Sequence, residues 1–324
     1  MVNTDTREGY DEIGDIHGHG DELLALLENL GYSHDGVSYI HENRQALFLG
    51  DFVDRGNQQK LVLDTVMAMC SRGAARAIMG NHEFNALAFH TQDPARPGVW
   101  LRVRTNKNIK QHIAFLNEYL GSYEELQKVL DWFMTLPLWL DLPEGLRLVH
   151  ACWHKPSIET LEPLLGQGHR LTPAVLAHAS DPKRPEYAAV ETLLKGRELK
   201  LPQGISFEDK DDNHRTEMRI KWWQHDPSSY ADLALPPYVV ERNPGLNKVV
   251  LPDGIETGYG RTEVPVLFGH YWFEGEPGPV SDNVACLDYS VPRPTGNLVA
   301  YRWSGESRLL RENFVSVSNM RPEI

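Results

Sequence analysis

The chain has 324 residues, 41% of them hydrophobic and 24% charged, and a formal net charge of −13. That length suits one large globular domain or two small ones, and no run approaches the roughly 18 apolar residues needed to span a bilayer as a helix. The acidic balance excludes broad electrostatic capture of nucleic acid, which needs a basic face, but not a phosphate substrate held by cations and a few arginines.

In chain order, Tyr10 to Gly14 reads as a strand running into Asp15. An amphipathic helix follows, with Leu23, Leu24, Leu26, Leu27 and Leu30 on its apolar side. Ala46 to Gly50 is a short buried strand ending at Asp51, Leu61 to Met69 a helix, and Ala75 to Gly80 a third strand. Leu146 to His150 and Val264 to His270 are further strands, with two more over Asn283 to Asp288 and Leu298 to Trp303. Strands alternating with helices early and gathering late predict a layered α/β (α+β) fold. The stretches 100–135 and 155–240 are expected to be helix-rich and to wrap or cap the core.

Residues 155–261 differ from the rest, being rich in proline and charge, with an acidic stretch from Glu208 to Asp212. We expect a core formed by 1–154 and 262–324 and a large insertion or cap over 155–261. The polar, acidic N-terminus lacks the pattern of a secretory signal. Cys70, Cys152 and Cys286 are scattered and odd in number. Free thiols fit a reducing compartment, so a cytoplasmic location is expected.

Five short signals each sit just past the C-terminal end of a predicted strand. They are Gly14-Asp15-Ile16-His17-Gly18-His19, Gly50-Asp51-Phe52-Val53-Asp54-Arg55-Gly56, Gly80-Asn81-His82-Glu83, Val149-His150-Ala151 and Gly269-His270. Ligands gather at the carboxyl ends of strands in such sheets, so all five can converge on one site. An Asp or Asn beside a Gly is by itself usually a turn former; the ordered set is what carries the reading. Three Asp, one Asn and several His form a nitrogen and oxygen donor set without thiolate, which suits Mn, Fe or Zn better than Ca.

These residues resemble the calcineurin-like metallophosphoesterases, in the branch that includes the phosphoprotein phosphatases. The GDxHG, GDxxDRG and GNHE boxes are present in order, with two later histidines, over about 1–150 and 262–303. The resemblance implies a β-sandwich of mixed sheets flanked by helices, and two divalent metal ions, Mn²⁺ with Fe or Zn as alternatives. It implies that Asp15 and His17 bind one metal, that Asp51 bridges, and that Asn81, His150 and His270 complete the second site. A water bridging the two cations would attack phosphorus, Arg55 would hold a phosphate oxygen, and His82, oriented by Asp54, would protonate the leaving oxygen. The opening Gly14 to Tyr32 looks most like symmetrical dinucleoside tetraphosphatases and bacterial RNA-repair phosphatase modules. A phosphorylated small molecule or nucleotide is therefore the expected substrate, with a Ser/Thr phosphoprotein phosphatase as the alternative and a non-catalytic scaffold as a remote one. No membrane partner is expected.

The chain departs from the family where Ala151-Cys152-Trp153 follows His150 and where Tyr271-Trp272 follows His270. Asp288 is given a minor supporting role, Glu83 a structural one, and His19 the start of a helix. Cys152 and Trp153 are expected in the core. In the insertion, Asp209 to Asn213 lacks the later Gly and Glu of a calcium loop. Arg215 and Arg219, four apart, would share one helix face and could clamp a second phosphate, whereas the bland reading is a solvated helix with Trp222 and Trp223 on the core.

Overall fold

The computed structural model of the chain describes residues 8–208 and 214–320. Two mixed sheets form its centre. The first contains β1 (Gly9–Ile13), β2 (Arg44–Phe48) and β3 (Ala75–Ala77), which run parallel. The second is built from β4 (Trp139–Leu142), β5 (Leu146–Val149), β6 (Val266–Phe268) and β7 (Val284–Cys286), with β5, β6 and β7 parallel and β4 antiparallel at one edge. The first sheet is completed by β8 (Asp288–Tyr289), β9 (Asn297–Trp303) and β10 (Phe314–Ser318), all antiparallel additions, with β9 beside β1.

Alternation along the strands sets how the layers stack. Leu47, Val299 and Tyr301 of the first sheet share one apolar cluster with Leu146, Leu148 and Leu267 of the second, while their neighbours Phe48, Ala300 and Phe268 belong to another. Side chains with a period of two thus fill the space between sheets on one face and meet helices on the other.

Those helices are α1 (Gly20–Asn29), α2 (Gln59–Ser71), α3 (Asn81–His90), α4 (Asn106–Glu118) and α5 (Tyr123–Phe133). Leu23, Leu26 and Leu27 of α1, with Val62, Leu63 and Val66 of α2, are fully buried on that outer face. The expected strands are present, each within a few residues of its predicted bounds. In the two central sheets, Trp139–Leu142 and Phe314–Ser318 were not foreseen. Both sit at sheet edges, where half-exposed strands carry weaker apolar runs.

Between β5 and β6, the helix-rich expectation holds for only part of its range. Helices α6 (Lys155–Leu161), α7 (Pro173–His178) and α8 (Pro185–Lys195) are followed by short strands at Glu198–Lys200, Glu217–Ile220 and Ala234–Leu235. That later part has its own small core of Met218, Ile220, Leu233, Val239 and Leu246. Trp222 ties it to the main sheets: its indole N–H donates to the Ala151 carbonyl at 2.9 Å, and its ring lies 5.2 Å from Phe268. Among the described residues, no helix is long and apolar enough to cross a membrane.

Candidate metal centre

The carboxyl ends of β1, β2, β3, β5 and β6 deliver Asp15 and His17, Asp51 and Asp54, Asn81 and His82, His150, and His270 to one place. The backbone there is unusual: His17, Asp51, Asp54, Arg55 and His270 all have positive φ, between 48° and 74°. Non-glycine residues pay about 1–3 kcal/mol for such conformations and keep them only where surrounding structure insists. Two glycines make the close approach possible. A Cβ on Gly269 would come within 2.0 Å of Asp15 Oδ1, and one on Gly80 within 2.3 Å of Asp51 Oδ1.

Asp51 is the common member of two clusters, one with buried His17 and part-exposed His82 and the other, fully buried, with His150 and His270. Its Oδ2 lies 3.6 Å from His17 Nε2, and its Oδ1 lies 3.4 Å from His150 Nε2. The tautomers follow from the far side of each ring. His17 Nδ1 donates to the Val53 carbonyl at 3.1 Å, and His150 Nδ1 donates to the Leu49 carbonyl at 2.7 Å. With the proton fixed on Nδ1, each ring in its neutral form turns an Nε2 lone pair inward, the arrangement that backbone acceptors impose on metal-binding imidazoles.

Those inward atoms test whether cations fit. His17 Nε2 and His270 Nε2 are buried and have no protein hydrogen-bond partner. His150 Nε2 faces Asn81 Oδ1 at 3.2 Å, acceptor against acceptor when the imidazole is neutral. Buried polar atoms left in this state require an explanation, and a cation between them supplies one. Electrostatics agree. Without a cation, burial works to lower His150, but the charge and bond of Asp51 and the charge of Asp15 outweigh it and raise the group to about 10, so a proton on Nε2 takes the place that a cation would fill. The cluster draws positive charge.

Asp15 stands slightly apart from this pattern. Its Oδ2 is 4.0 Å from His17 Nε2, and its carboxylate accepts the His270 amide at 3.1 Å. Burial, followed by the Asp288 charge, pushes the Asp15 carboxyl well above its usual range. Asp288 accepts the Trp272 amide at 2.7 Å and the Ser290 amide at 3.0 Å, which fits its supporting role.

Beside the clusters, His82 Nδ1 donates to Asp54 Oδ2 at 2.5 Å, and the His82 side chain is the more exposed of the two, at 13% against 4%. Arg55 is exposed at the rim, with its guanidinium 4.3 Å from the centre of the Trp272 ring. Glu83 serves the loop rather than the opening: its carboxylate accepts the amides of Asp51, Phe52 and Gly80 at 2.8, 2.9 and 3.0 Å. His19 stands at the start of α1, and Cys152 is buried in the core.

The helix expected to carry Arg215 and Arg219 is absent. Arg215 is exposed on a two-residue strand paired with Phe207–Glu208, whereas Arg219 lies in the three-stranded sheet of the insertion. Strand pairing took precedence over the i, i+4 spacing, so the two arginines share no helix face. Trp222 and Trp223 pack on the core as the bland reading held. Arg219 nonetheless reaches the site electrostatically: after burial, its charge is the chief influence lowering His270, and Lys195 adds to it. Asp209 to Asn213 lie outside the described residues.

Two residues escaped the sequence reading. His112 Nδ1 donates to Asp54 Oδ1 at 2.7 Å from α4, outside every motif. Trp272, under Arg55, was noticed only as a departure. A lone His in an amphipathic helix gives no signal until packing shows what it faces.

Comparisons with known proteins agree with this geometry. The sequence profile described as calcineurin-like phosphoesterase matches residues 12–200, more than half of the chain. A bis(5'-nucleosyl)-tetraphosphatase PrpE, asymmetrical, of Bacillus subtilis (strain 168) is 43% identical over 148 residues, covering 44% of this chain and 57% of that protein. A symmetrical bis(5'-nucleosyl)-tetraphosphatase of Hamiltonella defensa subsp. Acyrthosiphon pisum (strain 5AT) is 30% identical over 154 residues, covering 46% of this chain and 47% of its own length. The chain thus spans about half the length of these two curated relatives. A protein serine/threonine phosphatase from Saccharomyces cerevisiae superposes over 99% of this chain and 82% of its own, with a TM-score of 0.50 and 14% identity, a likeness of fold.

Proposed function

The chain belongs to the calcineurin-like phosphoesterase family, and from that premise we propose that it hydrolyses phosphate ester or anhydride bonds of a nucleotide-type substrate. The observation that carries the reading is the pair of buried, unpartnered Nε2 atoms of His17 and His270, in the two clusters that share Asp51. Asp15, His17 and Asp51 would hold one divalent cation, and Asp51, Asn81, His150 and His270 a second. Manganese, iron or zinc suits these donors. When bound, two such cations supply a water acidic enough to attack phosphorus and neutralise charge on the phosphoryl group.

The chain's own residues do the rest. Arg55 offers a forked pair of donors to a phosphate oxygen, and Trp272 beneath it limits where that fork can point. His82, protonated on Nε2, gives its proton to the leaving oxygen. The Asp54 carboxylate stabilises the imidazolium that precedes this transfer and fixes the ring. Arg219, whose charge acts on His270, is a candidate second phosphate contact for a longer polyphosphate.

A nucleotide substrate is favoured because the matched relatives are named as dinucleoside tetraphosphatases. The Ser/Thr phosphoprotein phosphatase alternative has a likeness of fold behind it. A scaffold role is disfavoured by the complete set of ligands, dyad and arginine. The same reading makes 1–154 with 262–324 the phosphoesterase core and 155–261 its cap; we propose a cytoplasmic location, with no broad nucleic-acid binding and no membrane partner. Both symmetrical and asymmetrical enzymes occur among the relatives, so the position of cleavage is open to assay.

The test strips the protein with chelator, restores Mn²⁺ and follows hydrolysis, as phosphate release from the monoesters and as nucleotide products separated by chromatography from the other two substrates. The substrates are nitrophenyl phosphate, diadenosine tetraphosphate, a 2′,3′-cyclic nucleotide and a phosphopeptide, with Asp51→Asn as control. Metal-dependent turnover of the dinucleotide, lost in the variant, is expected; two diphosphates mark a symmetrical cut, a triphosphate and a monophosphate an asymmetrical one. Preference for the phosphopeptide would overturn the nucleotide reading, and failure to bind metal would revive the scaffold.

A further inference from the structure

We propose that His112 is a positioning residue for the acid side of the reaction, holding Asp54 in the orientation from which it aims the His82 ring into the cleft. The inference rests on the reading of His82 as the group that protonates the leaving oxygen.

Three observations support it. First, the two Asp54 oxygens are committed to different rings: Oδ2 accepts from His82 Nδ1 at 2.5 Å, and Oδ1 accepts from His112 Nδ1 at 2.7 Å. An ionised carboxylate only accepts, so both Nδ1 atoms carry protons, and the carboxylate cannot rotate without breaking one bond. Burial works to raise Asp54, but the bonds from His112 and His82 outweigh it and hold it well below its ordinary value, in the ionised form.

Second, the His112 ring is itself fixed. Only 6% of its side chain is exposed, and it stacks on Phe115 with centroids 4.7 Å apart and planes 20° from parallel. Phe89 and His90 pack against it at 5.3 and 5.6 Å. A locked ring transmits its position to its partner.

Third, the Asp54 backbone cannot hold the carboxylate by itself. Asp54 sits at φ 69°, on a loop secured by the hydrogen bond that its backbone N–H donates to Gln59 Oε1 at 2.8 Å. That bond fixes the main chain and leaves the side-chain torsions to His112 and His82. The contact joins residues 58 apart, on elements that meet only through tertiary packing.

The alternative is that His112 merely fills the core, and the nature of the leaving group separates the two. With Mn²⁺-loaded, full-length protein, kcat is measured on an alkyl phosphate, whose leaving oxygen needs a proton, and on nitrophenyl phosphate, whose does not. His112→Phe keeps the ring and its stacking but removes the donor. It should lower kcat on the alkyl ester roughly 10–100-fold and on nitrophenyl phosphate by no more than about threefold. His112→Asn, which restores a donor near the same place, should recover much of the loss. In a His82→Ala background, His112→Phe should cost nothing further on the alkyl ester.

Equal losses on both esters, or a full additional loss in the His82→Ala background, would overturn the inference. Should His112→Phe fail to fold, His112→Asn against the near-isosteric His112→Leu makes the same comparison of donor with no donor. The parent reading fails separately: His82→Ala itself would then hurt both esters equally, whatever His112 does.

Discussion

Glu83 holds Asp51 through the backbone, its carboxylate accepting the Asp51 amide at 2.8 Å. The same carboxylate takes the amides of Phe52 and Gly80, so one buried side chain ties the loop after β2 to the start of α3. Both proposed cation positions depend on where that loop places Asp51.

Glu83→Gln replaces one accepting oxygen with a donor that faces another N–H. Leaving such groups unmatched costs about 1–3 kcal/mol each and lets the loop shift. Titration calorimetry with Mn²⁺ should show affinity weaker by roughly 10–100-fold, with a lower Tm. Unaltered affinity would show that Asp51 is held in place without Glu83.

Asp51→Asn tests the shared carboxylate without relying on turnover. Cations bound to the native state stabilise it by mass action, about 2.7 kcal/mol at a hundredfold excess over Kd. Wild type should therefore gain Tm when Mn²⁺ is added and lose it with chelator, while the variant gains far less. Elemental analysis should find two ions per wild-type chain and fewer in the variant. Two ions in both would remove Asp51 from its shared position.

Arg55→Lys keeps the charge but loses the fork and the stacking on Trp272. The expected fall in kcat/KM on nitrophenyl phosphate is on the order of 100-fold. Trp272→Ala keeps the guanidinium and its charge but removes the stacking, so its loss should be smaller and lie mainly in KM. The reverse order would place the critical contact on Trp272 instead.

Arg219→Ala separates a distal phosphate contact from the reacting one. A charged hydrogen bond of about 1.5–3 kcal/mol corresponds to roughly 10–100-fold in kcat/KM on diadenosine tetraphosphate, with a much smaller loss on nitrophenyl phosphate. Equal losses would place Arg219 at the reacting phosphoryl group.

Glu12 offers a test by pH. It is fully buried, and beyond its own amide neither carboxyl oxygen has a hydrogen-bond partner among the described residues. Burial, then the neighbouring Asp11 charge, raises it well above the ordinary 4.5. The unfolded chain ionises first as pH rises past that value, so this group's contribution to stability declines upward from there to the folded-state pKa. Glu12→Met removes the penalty. Denaturant unfolding should show the variant more stable by about 1–3 kcal/mol at pH 8, with the gap narrowing towards pH 4. A gap independent of pH would mean that Glu12 does not titrate in this range.

The sequence by itself determined the local part of this protein. Asp15, His17, Asp51, Asn81, His82, His150 and His270 were legible because each sits on a short turn after an apolar strand, and strand and turn are encoded within a few residues. Adjacent glycines marked where main chain and ligand must crowd. Tertiary structure decided whatever depends on which distant surfaces meet. His112 faces Asp54 because α4 packs against the loop after β2, and Arg55 finds Trp272 because β6 ends beside that loop. The spacing of Arg215 and Arg219 suggested a helix, yet pairing with Phe207–Glu208 and Glu198–Lys200 drew them into strands on two different sheets. Periodicity describes a segment's preference, whereas long-range pairing and burial decide the outcome.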